Sequence, residues 1–330
     1  MLRVGLLGAG RIGQVHAKNI HLDARSTLVA VSDFVPDAAG ALAGRYDAAV
    51  RTTEEIIADD TIDAVLIATS TDTHADLIEK AAAAGKAVLC EKPIDLSLER
   101  ALACQAATRD AKRPIMLGFN RRFDPNFKAL KAGFDAGEIG KGELLAVTSF
   151  DPAPPPPSYV KVSGGLFRDM AIHDFDVACW IFGAVPERVS AVGASLVDPE
   201  IGALGDVDTA VTTLHFADGR IAVIKNSRRA AYGYDQRVEL LGSEGLLAVG
   251  NVNETTVARA LAAGVIGARP EHFFLERYAR AYVAEWSGFV AAALGEAEVP
   301  VSVTDGVNAL AIAEAAAASV KSGAAVAVTG

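Results

Sequence analysis

Gly8-Ala9-Gly10-Arg11-Ile12-Gly13 follows a short apolar run and opens a helical pattern. In that setting G-x-G-x-x-G has a ligand chemistry. The first glycine allows a tight turn, the second lets a diphosphate approach the backbone, and the third lets the helix pack close. Free N–H groups at the helix start favour the anion. A glycine turn with no ligand is the plain alternative, and the strand–turn–helix context weighs against it. Arg11 and Ile12 lie beside the loop and join Gly8 and Gly10 as expected cofactor contacts. Asp33 ends the next apolar run, 20 positions after Gly13. A carboxylate there accepts from both ribose hydroxyls and repels a 2′-phosphate, which favours NAD over NADP. Phe34, Val35 and Pro36 follow it, with no arginine. A helix cap or turn is the other use for Asp33.

Two further segments carry proton chemistry. Glu91-Lys92-Pro93 follows the apolar run 87–89. Lys92 at the carboxyl edge of a sheet can lower a hydroxyl pKa and stabilise the alkoxide formed as hydride leaves. Glu91 beside it is counted with the cofactor contacts. Pro93 fixes the turn, in a cis or a trans bond. A lone turn lysine is otherwise a solvated one. In Asp169-Met170-Ala171-Ile172-His173-Asp174-Phe175-Asp176, helical spacing puts Asp169, His173 and Asp176 on one face. A neutral imidazole is a natural acceptor of a hydroxyl proton, and an aspartate one turn earlier can orient it. An ordinary solvated Asp–His pair is one alternative. A metal held by the three side chains is another, which the dinucleotide fingerprint makes unnecessary.

Lesser candidates surround these. Thr69-Ser70-Thr71-Asp72-Thr73-His74 follows the apolar run 64–68. Small hydroxyl residues at a sheet's carboxyl edge can pass close to a cofactor, so Thr69, Ser70, Thr71 and His74 are expected contacts, with Asp72 or Thr73 as a helix cap. Gly164-Gly165 reads as a backbone approach or a flexible loop. Of Arg121 and Arg122, one points at a substrate pocket, or both form a surface pair. Tyr232 and Tyr234 offer hydroxyls to a polar substrate or pack as aromatics.

The elements that must position these groups are legible. Short, nearly all-apolar runs at 2–7, 28–31, 64–68, 87–89 and 115–117 alternate with helical patterns such as 73–84 and 97–111. That is a parallel sheet buried on both faces. After Gly118 the style changes. A helix or short helices at 121–136 and a strand at 144–150 precede four prolines, 154–157, expected as a stiff extended loop. A helix at 172–182 leads to long strands from 189 to about 257, with Asp218-Gly219 as a hairpin turn between 211–216 and 221–225. Late helices fall at 277–294 and 304–322. The expected architecture is α/β: an N-terminal Rossmann doubly wound parallel sheet over 1–119, then an α+β domain on a large open, mainly antiparallel sheet over 120–330.

Composition narrows the partners. The chain has 330 residues, 51% hydrophobic and 22% charged, enough apolar material for two cores. Its formal net charge of −10, without a block of Lys or Arg, argues against nucleic acid and anionic membranes. No apolar run is long enough to span a bilayer, and no signal-peptide layout opens the sequence. Cys90, Cys104 and Cys179 are scattered and odd in number, as in a reducing compartment. A cytoplasmic protein is expected.

The glycine loop, Glu91-Lys92-Pro93, the Asp169-x-x-x-His173 helix and the tail from Pro300 through Leu310 together resemble the glucose–fructose oxidoreductase/inositol dehydrogenase (Gfo/Idh/MocA) family over essentially the whole chain. The stretches 151–159 and 161–176, with Ser227-Arg228-Arg229 and 234–237, are similar to its inositol 2-dehydrogenase branch. The resemblance implies NAD-linked oxidation of a cyclic polyol, myo-inositol to scyllo-inosose. It implies Lys92, Asp169 and His173 as the catalytic group, Arg122, Asp176 and Tyr232 as substrate contacts, no metal, and a homotetramer formed through the outer face of the second sheet. Another inositol stereoisomer or a pyranose is the alternative substrate, and a non-catalytic NAD-binding sensor is the alternative class.

Overall fold

The computed structural model describes residues 1–329. The chain forms two units. One takes Met1–Phe123 and Ala281–Leu310, the other Asp124–Arg280 and Ala311–Thr329.

The first unit is built on six parallel strands: β1 (Leu2–Leu7), β2 (Ser26–Ser32), β3 (Ala49–Val50), β4 (Ala64–Ile67), β5 (Ala87–Glu91) and β6 (Ile115–Gly118). Their order is β3-β2-β1-β4-β5-β6. Every residue of β4 and β6 is buried, as is all of β1 but Arg3, because helices cover both faces. β3 lies outside the expected strands: it is two exposed residues, too short for a hydrophobic pattern. The order reverses between β1 and β4. The loops leaving those strands part there, and ligands of open α/β sheets bind in that crevice.

Helix boundaries follow local chemistry. The Ser97 hydroxyl caps Leu98–Ala107 by accepting from Arg100 N–H. His74–Ala83 is entered differently from the expected cap. Thr71–Thr73 forms a 3₁₀ turn, and the Thr73 hydroxyl donates to the Ser70 carbonyl at 2.8 Å rather than capping.

The return of Ala281–Leu310 to the first unit is not part of the expected two-block division. Trp286, Phe289 and Val290 are buried, Trp286 Nε1–H donates to Ser26 Oγ at 3.1 Å, and Leu117 N–H donates to the Val301 carbonyl at 3.2 Å. An apolar helix pattern says that a segment is buried, not against which core.

The second unit carries β7 (Gly142–Phe150), β8 (Arg188–Ala194), β9 (Thr209–His215), β10 (Ile221–Ser227), β11 (Asp235–Gly242), β12 (Gly245–Val249), a small hairpin of β13 (Arg259–Leu261) and β14 (Gly264–Ile266), and β15 (Val326–Ala327). The large sheet runs β12-β11-β7-β10-β9-β8-β15. Only β7 and β10 pair in parallel; the other neighbours are antiparallel. Inward residues such as Leu145, Val147, Leu214, Ile224 and Leu240 pack with Phe175, Ala178 and Ile181 of the helix Ile172–Phe182. The Asp218-Gly219 turn joins β9 to β10 as expected. Gly219 takes φ +88°, and its N–H donates to the Phe216 carbonyl at 3.0 Å.

The proline run departs from expectation at its end. Pro157 opens a short helix, Pro157–Ser163, where its missing N–H costs nothing. The late helical pattern resolves into Phe274–Arg277, Ala279–Ala293 and Val303–Ser322.

Trp286→Ala removes the largest buried side chain of the returning segment and leaves the Ser26 hydroxyl without its donor. It is expected to cost about 3–5 kcal/mol, read as a lower urea midpoint at unchanged slope.

Candidate active site

The glycine loop divides its labour by position. Gly8 takes φ +101°, and a Cβ there would stand 2.3 Å from the Ala68 carbonyl oxygen. A Cβ on Gly13 would stand 2.0 Å from the Gly8 carbonyl oxygen. Around Gly10 a Cβ would meet nothing within 4 Å. The outer glycines are therefore demanded by packing, and the middle one leaves open space above the start of the helix Arg11–Leu22. Gly10 is also its N-cap and supplies no side chain to the first-turn N–H groups. Open room beside uncapped N–H groups suits a diphosphate.

Asp33 stands at the end of β2. Its Oδ2 accepts from Ala9 N–H at 2.6 Å and its Oδ1 from Val35 N–H at 2.7 Å. The carboxylate is thus tied to the glycine loop. Each oxygen keeps lone-pair capacity for a ribose hydroxyl. Phe34 beside it is fully exposed.

A second set of bonds joins the loops after β4 and β5. Thr69 and Thr73 share a hydroxyl–hydroxyl bond of 2.7 Å. His74 is buried, with Nδ1 2.7 Å from the Pro93 carbonyl and Nε2 3.2 Å from the Thr69 carbonyl. Burial pushes its pKa down, although both carbonyls favour the charged ring. A neutral ring has one N–H, and the shorter contact assigns it to Nδ1, donating to Pro93. His74 thereby links the Thr69-Ser70-Thr71 loop to the Lys92 turn through protein atoms. The Lys92–Pro93 bond is cis. Glu91, expected to face the cofactor, instead has Oε1 2.7 Å from His16 Nε2. Arg122, expected near substrate, donates from Nη2 to Asp305 Oδ1 at 2.9 Å and from Nη1 to the Pro300 carbonyl at 3.4 Å, within the first unit. Arg11 is exposed and Ile12 half-buried at the helix start.

In the second unit the Asp–His segment is not one uniform helix. Phe167–Ala171 is a π-helical turn that runs into Ile172–Phe182. Asp169 lies in the wide turn and His173 in the first turn of the α-helix. Such π turns inside α-helices are frequent at functional sites. Asp169 Oδ1 accepts from the Tyr159 hydroxyl at 2.9 Å, and Oδ2 accepts from both Nη1 and Nη2 of Arg228 at 3.3 Å. Arg228 is only 1% exposed. A fixed cation beside a carboxylate holds its direction. Asp176 is buried and His173 half-buried. Asp174 is fully buried and accepts from Asn226 Nδ2 at 2.8 Å, which anchors the helix to β10.

Gly164 and Gly165 both take positive φ, +82° and +83°. The Asp206 carboxylate approaches to 2.6 Å of where a Gly165 Cβ would be and accepts from Leu166 N–H at 3.1 Å. This is the backbone approach of the two expected uses, and the close neighbour is a side chain of the same unit. The Tyr232 hydroxyl donates to Asp235 Oδ2 at 2.5 Å. Burial and that carboxylate push its pKa up to about 12.

The structure thus gathers Gly8, Gly10, Asp33, Thr69 and His74 along one edge of the first sheet, and Asp169 with two partners in the second unit. Tyr159, Arg228 and His16 are the contributors that motif reading did not single out. For Arg228 a signal existed: a charged residue ending a strand within a stretch used for the family resemblance.

Comparison with known proteins places both units. Residues 2–119 match the oxidoreductase family, NAD-binding Rossmann fold, and residues 127–248 match the GFO/IDH/MocA C-terminal domain. An inositol 2-dehydrogenase of Rhizobium meliloti (strain 1021) is 50% identical over 319 residues, covering 97% of each chain. A myo-inositol 2-dehydrogenase of Thermotoga maritima is 45% identical over 317 residues, 96% of this chain and 95% of that one. The crystal structure of scyllo-inositol dehydrogenase from Lactobacillus casei with NAD(H) and scyllo-inositol superposes with a TM-score of 0.92 at 30% identity, covering 99% of each chain.

The glycine positions separate fold from ligand. Gly10→Ala is expected to leave the melting temperature of the cofactor-free protein unchanged and to weaken NAD at least about tenfold by titration calorimetry, since each 1.4 kcal/mol is a factor of ten. Gly13→Ala, which drives a methyl into the Gly8 carbonyl, is expected to lower the melting temperature itself.

Proposed function

The chain belongs to the GFO/IDH/MocA oxidoreductase family, and from that premise we propose that it oxidises myo-inositol to scyllo-inosose with NAD as acceptor. The observation that carries the reading is the 50% identity, over 97% of both chains, to the Rhizobium meliloti inositol 2-dehydrogenase.

NAD, when bound, supplies the hydride acceptor. Gly8, Gly10, Arg11 and Ile12 hold the diphosphate at the helix start. Asp33 takes the ribose hydroxyls, and Thr69, Ser70 and Thr71 line the neighbouring loop. His74 shapes that loop and the Lys92 turn together, so its part is positioning. Glu91 acts in the same way, through His16.

The proton chemistry falls to three side chains. Lys92 donates to the reacting hydroxyl oxygen and holds the negative charge that develops there. His173 takes the hydroxyl proton at an imidazole nitrogen. Asp169, held by Tyr159 and Arg228, orients the group and balances the charge that His173 gains. A tethered carboxylate does this without reorganising during the reaction. Asp176, Tyr232 and Arg122 are the expected ring-hydroxyl contacts. Of these, Arg122 is bonded to Asp305 and the Tyr232 hydroxyl to Asp235.

scyllo-Inositol is the competing substrate. A scyllo-inositol 2-dehydrogenase of Bacillus subtilis is 36% identical over 296 residues, and the Lactobacillus casei neighbour carries that ligand. The greater identity to the enzymes named for myo-inositol and for inositol favours the first reading.

The proposal extends to a cytoplasmic homotetramer. Support for the assembly lies on the outer face of the second sheet. Ile221, Leu144, Leu241 and Leu246 stand in register across β10, β7, β11 and β12, and all four are exposed. An apolar row of this kind marks an association surface. No helix among the described residues is long and apolar enough to cross a membrane.

Purified protein with NAD and a panel of inositols and monosaccharides is expected to generate reduced nicotinamide fastest with myo-inositol, followed by its near-ultraviolet absorbance. Tight NAD binding with no turnover on any polyol would sink the reading in favour of a sensor. Lys92→Ala and His173→Ala are each expected to lower kcat at least about 10²-fold with NAD affinity retained. Asp33→Ala should weaken NAD and narrow its advantage over NADP, measured as the ratio of the two kcat/KM values.

A further inference from the structure

Behind the Lys92 turn, three ionisable side chains of the first unit meet, two of them buried and Glu91 half-buried. His16 lies on the helix that begins at the glycine loop, Glu91 ends β5, and Glu285 lies on Ala279–Ala293. His16 is 1% exposed and Glu285 0%. One ligand atom from each of the three lies within 4.8 Å of the others. His16 Nε2 is 2.7 Å from Glu91 Oε1, while neither carboxylate oxygen of Glu285 meets a hydrogen-bond partner among the protein atoms. Gly118 makes the space: a Cβ there would lie 3.1 Å from Glu91 Oε2.

Two carboxylates this close, one of them fully buried, do not both ionise. Glu91 holds the imidazole N–H, so the negative charge belongs there, and the remaining acid keeps its proton. A metal ion explains the cluster less well. Ligand atoms about 2.0–2.1 Å from one tetrahedral ion stand about 3.3 Å apart. The His16–Glu91 separation is instead that of a hydrogen bond.

We propose that Glu285 is a neutral carboxylic acid, that its lack of charge leaves Glu91 directed at His16, and that Glu91 thereby positions Lys92, the next residue along the chain. This rests on the reading of Lys92 as catalytic. Were Glu285 charged, repulsion would drive the Glu91 carboxylate away from the cluster and shift the turn that carries the lysine. Burial, reinforced by the Glu91 charge, raises the Glu285 pKa well above the carboxylate range. Tyr282 stands edge-on to His16 at 5.7 Å between ring centroids, and the buried His74 and Cys90 feel the Glu91 charge. His16 also joins the cofactor helix to the lysine turn, so the cluster links the two halves of the nucleotide site.

The test compares Glu285→Gln, which imitates the protonated acid, with Glu285→Ala. Glu285→Gln is expected to keep kcat within about twofold, and Glu285→Ala to lose about 10-fold or more in kcat with little change in KM for NAD, as displaced catalytic groups do. Infrared difference spectra of wild type minus Glu285→Gln at neutral pH are expected to show a carboxylic-acid C=O stretch. Should Glu285→Ala not fold, Glu285→Asp, which withdraws the acid by one methylene, takes its place with the same direction expected. The proposal is overturned by absence of the acid stretch, by equal losses in the Gln and Ala variants, by unchanged kcat in the Ala or Asp variant, or by a stoichiometric divalent ion in metal analysis of the purified protein. If wild type oxidises no polyol, the functional reading and the positioning role fail together, while the infrared signal still decides the charge of Glu285.

Discussion

The first unit depends on one steric condition: the chain must pass its own carbonyl groups at distances that no side chain permits. Gly13 lies against the Gly8 carbonyl, and Gly8 lies against the Ala68 carbonyl. These two approaches set the angle at which the first helix leaves the sheet. They also bring the loops after β1 and β4 edge to edge. Only then does Asp33 reach the Ala9 N–H and the open space above Gly10 acquire a floor of amide donors. Fixed backbone dipoles of this sort are already oriented before any anion arrives, so binding need not reorganise them.

The second unit solves a different problem, that of holding an acid in one direction beside a mostly apolar layer. Asp169 does so with a tyrosine hydroxyl on one oxygen and a guanidinium on the other. The cation comes from the end of β10 and is itself almost fully buried, so it cannot drift to solvent. The opposite solution appears in the first unit, where Glu285 has no donor and Glu91 has an imidazole. Burial and partners together thus set two glutamates of one cluster apart.

Much of this was legible in the amino-acid order. Every expected strand of the first sheet is present, because strands buried on both faces announce themselves as short apolar runs. The hairpin at Asp218-Gly219 and the helix at Ile172–Phe182 were equally plain. What escaped is whatever depends on partners far along the chain. Glu91 looked like a cofactor ligand because it sits beside Lys92, yet its partner is His16, 75 positions earlier. Arg122 looked available, yet it is bonded to Asp305, 183 positions later. The π turn at Phe167–Ala171 has no compositional mark. Local chemistry is written in neighbouring residues, whereas the direction of a long polar side chain is written in the tertiary structure.

The order in which the chain supplies its parts has a bearing on how the protein matures. The segment Ala281–Leu310 fills the interior of a unit whose strands are all complete by Gly118. During synthesis the nucleotide half therefore leaves the ribosome with Ser26 and the neighbouring apolar surface uncovered, and waits while more than 150 residues of the other half emerge. That interval exposes nascent chains to aggregation, and it makes the nucleotide half a part that cannot be cut out at residue 119 without losing Trp286 from its centre.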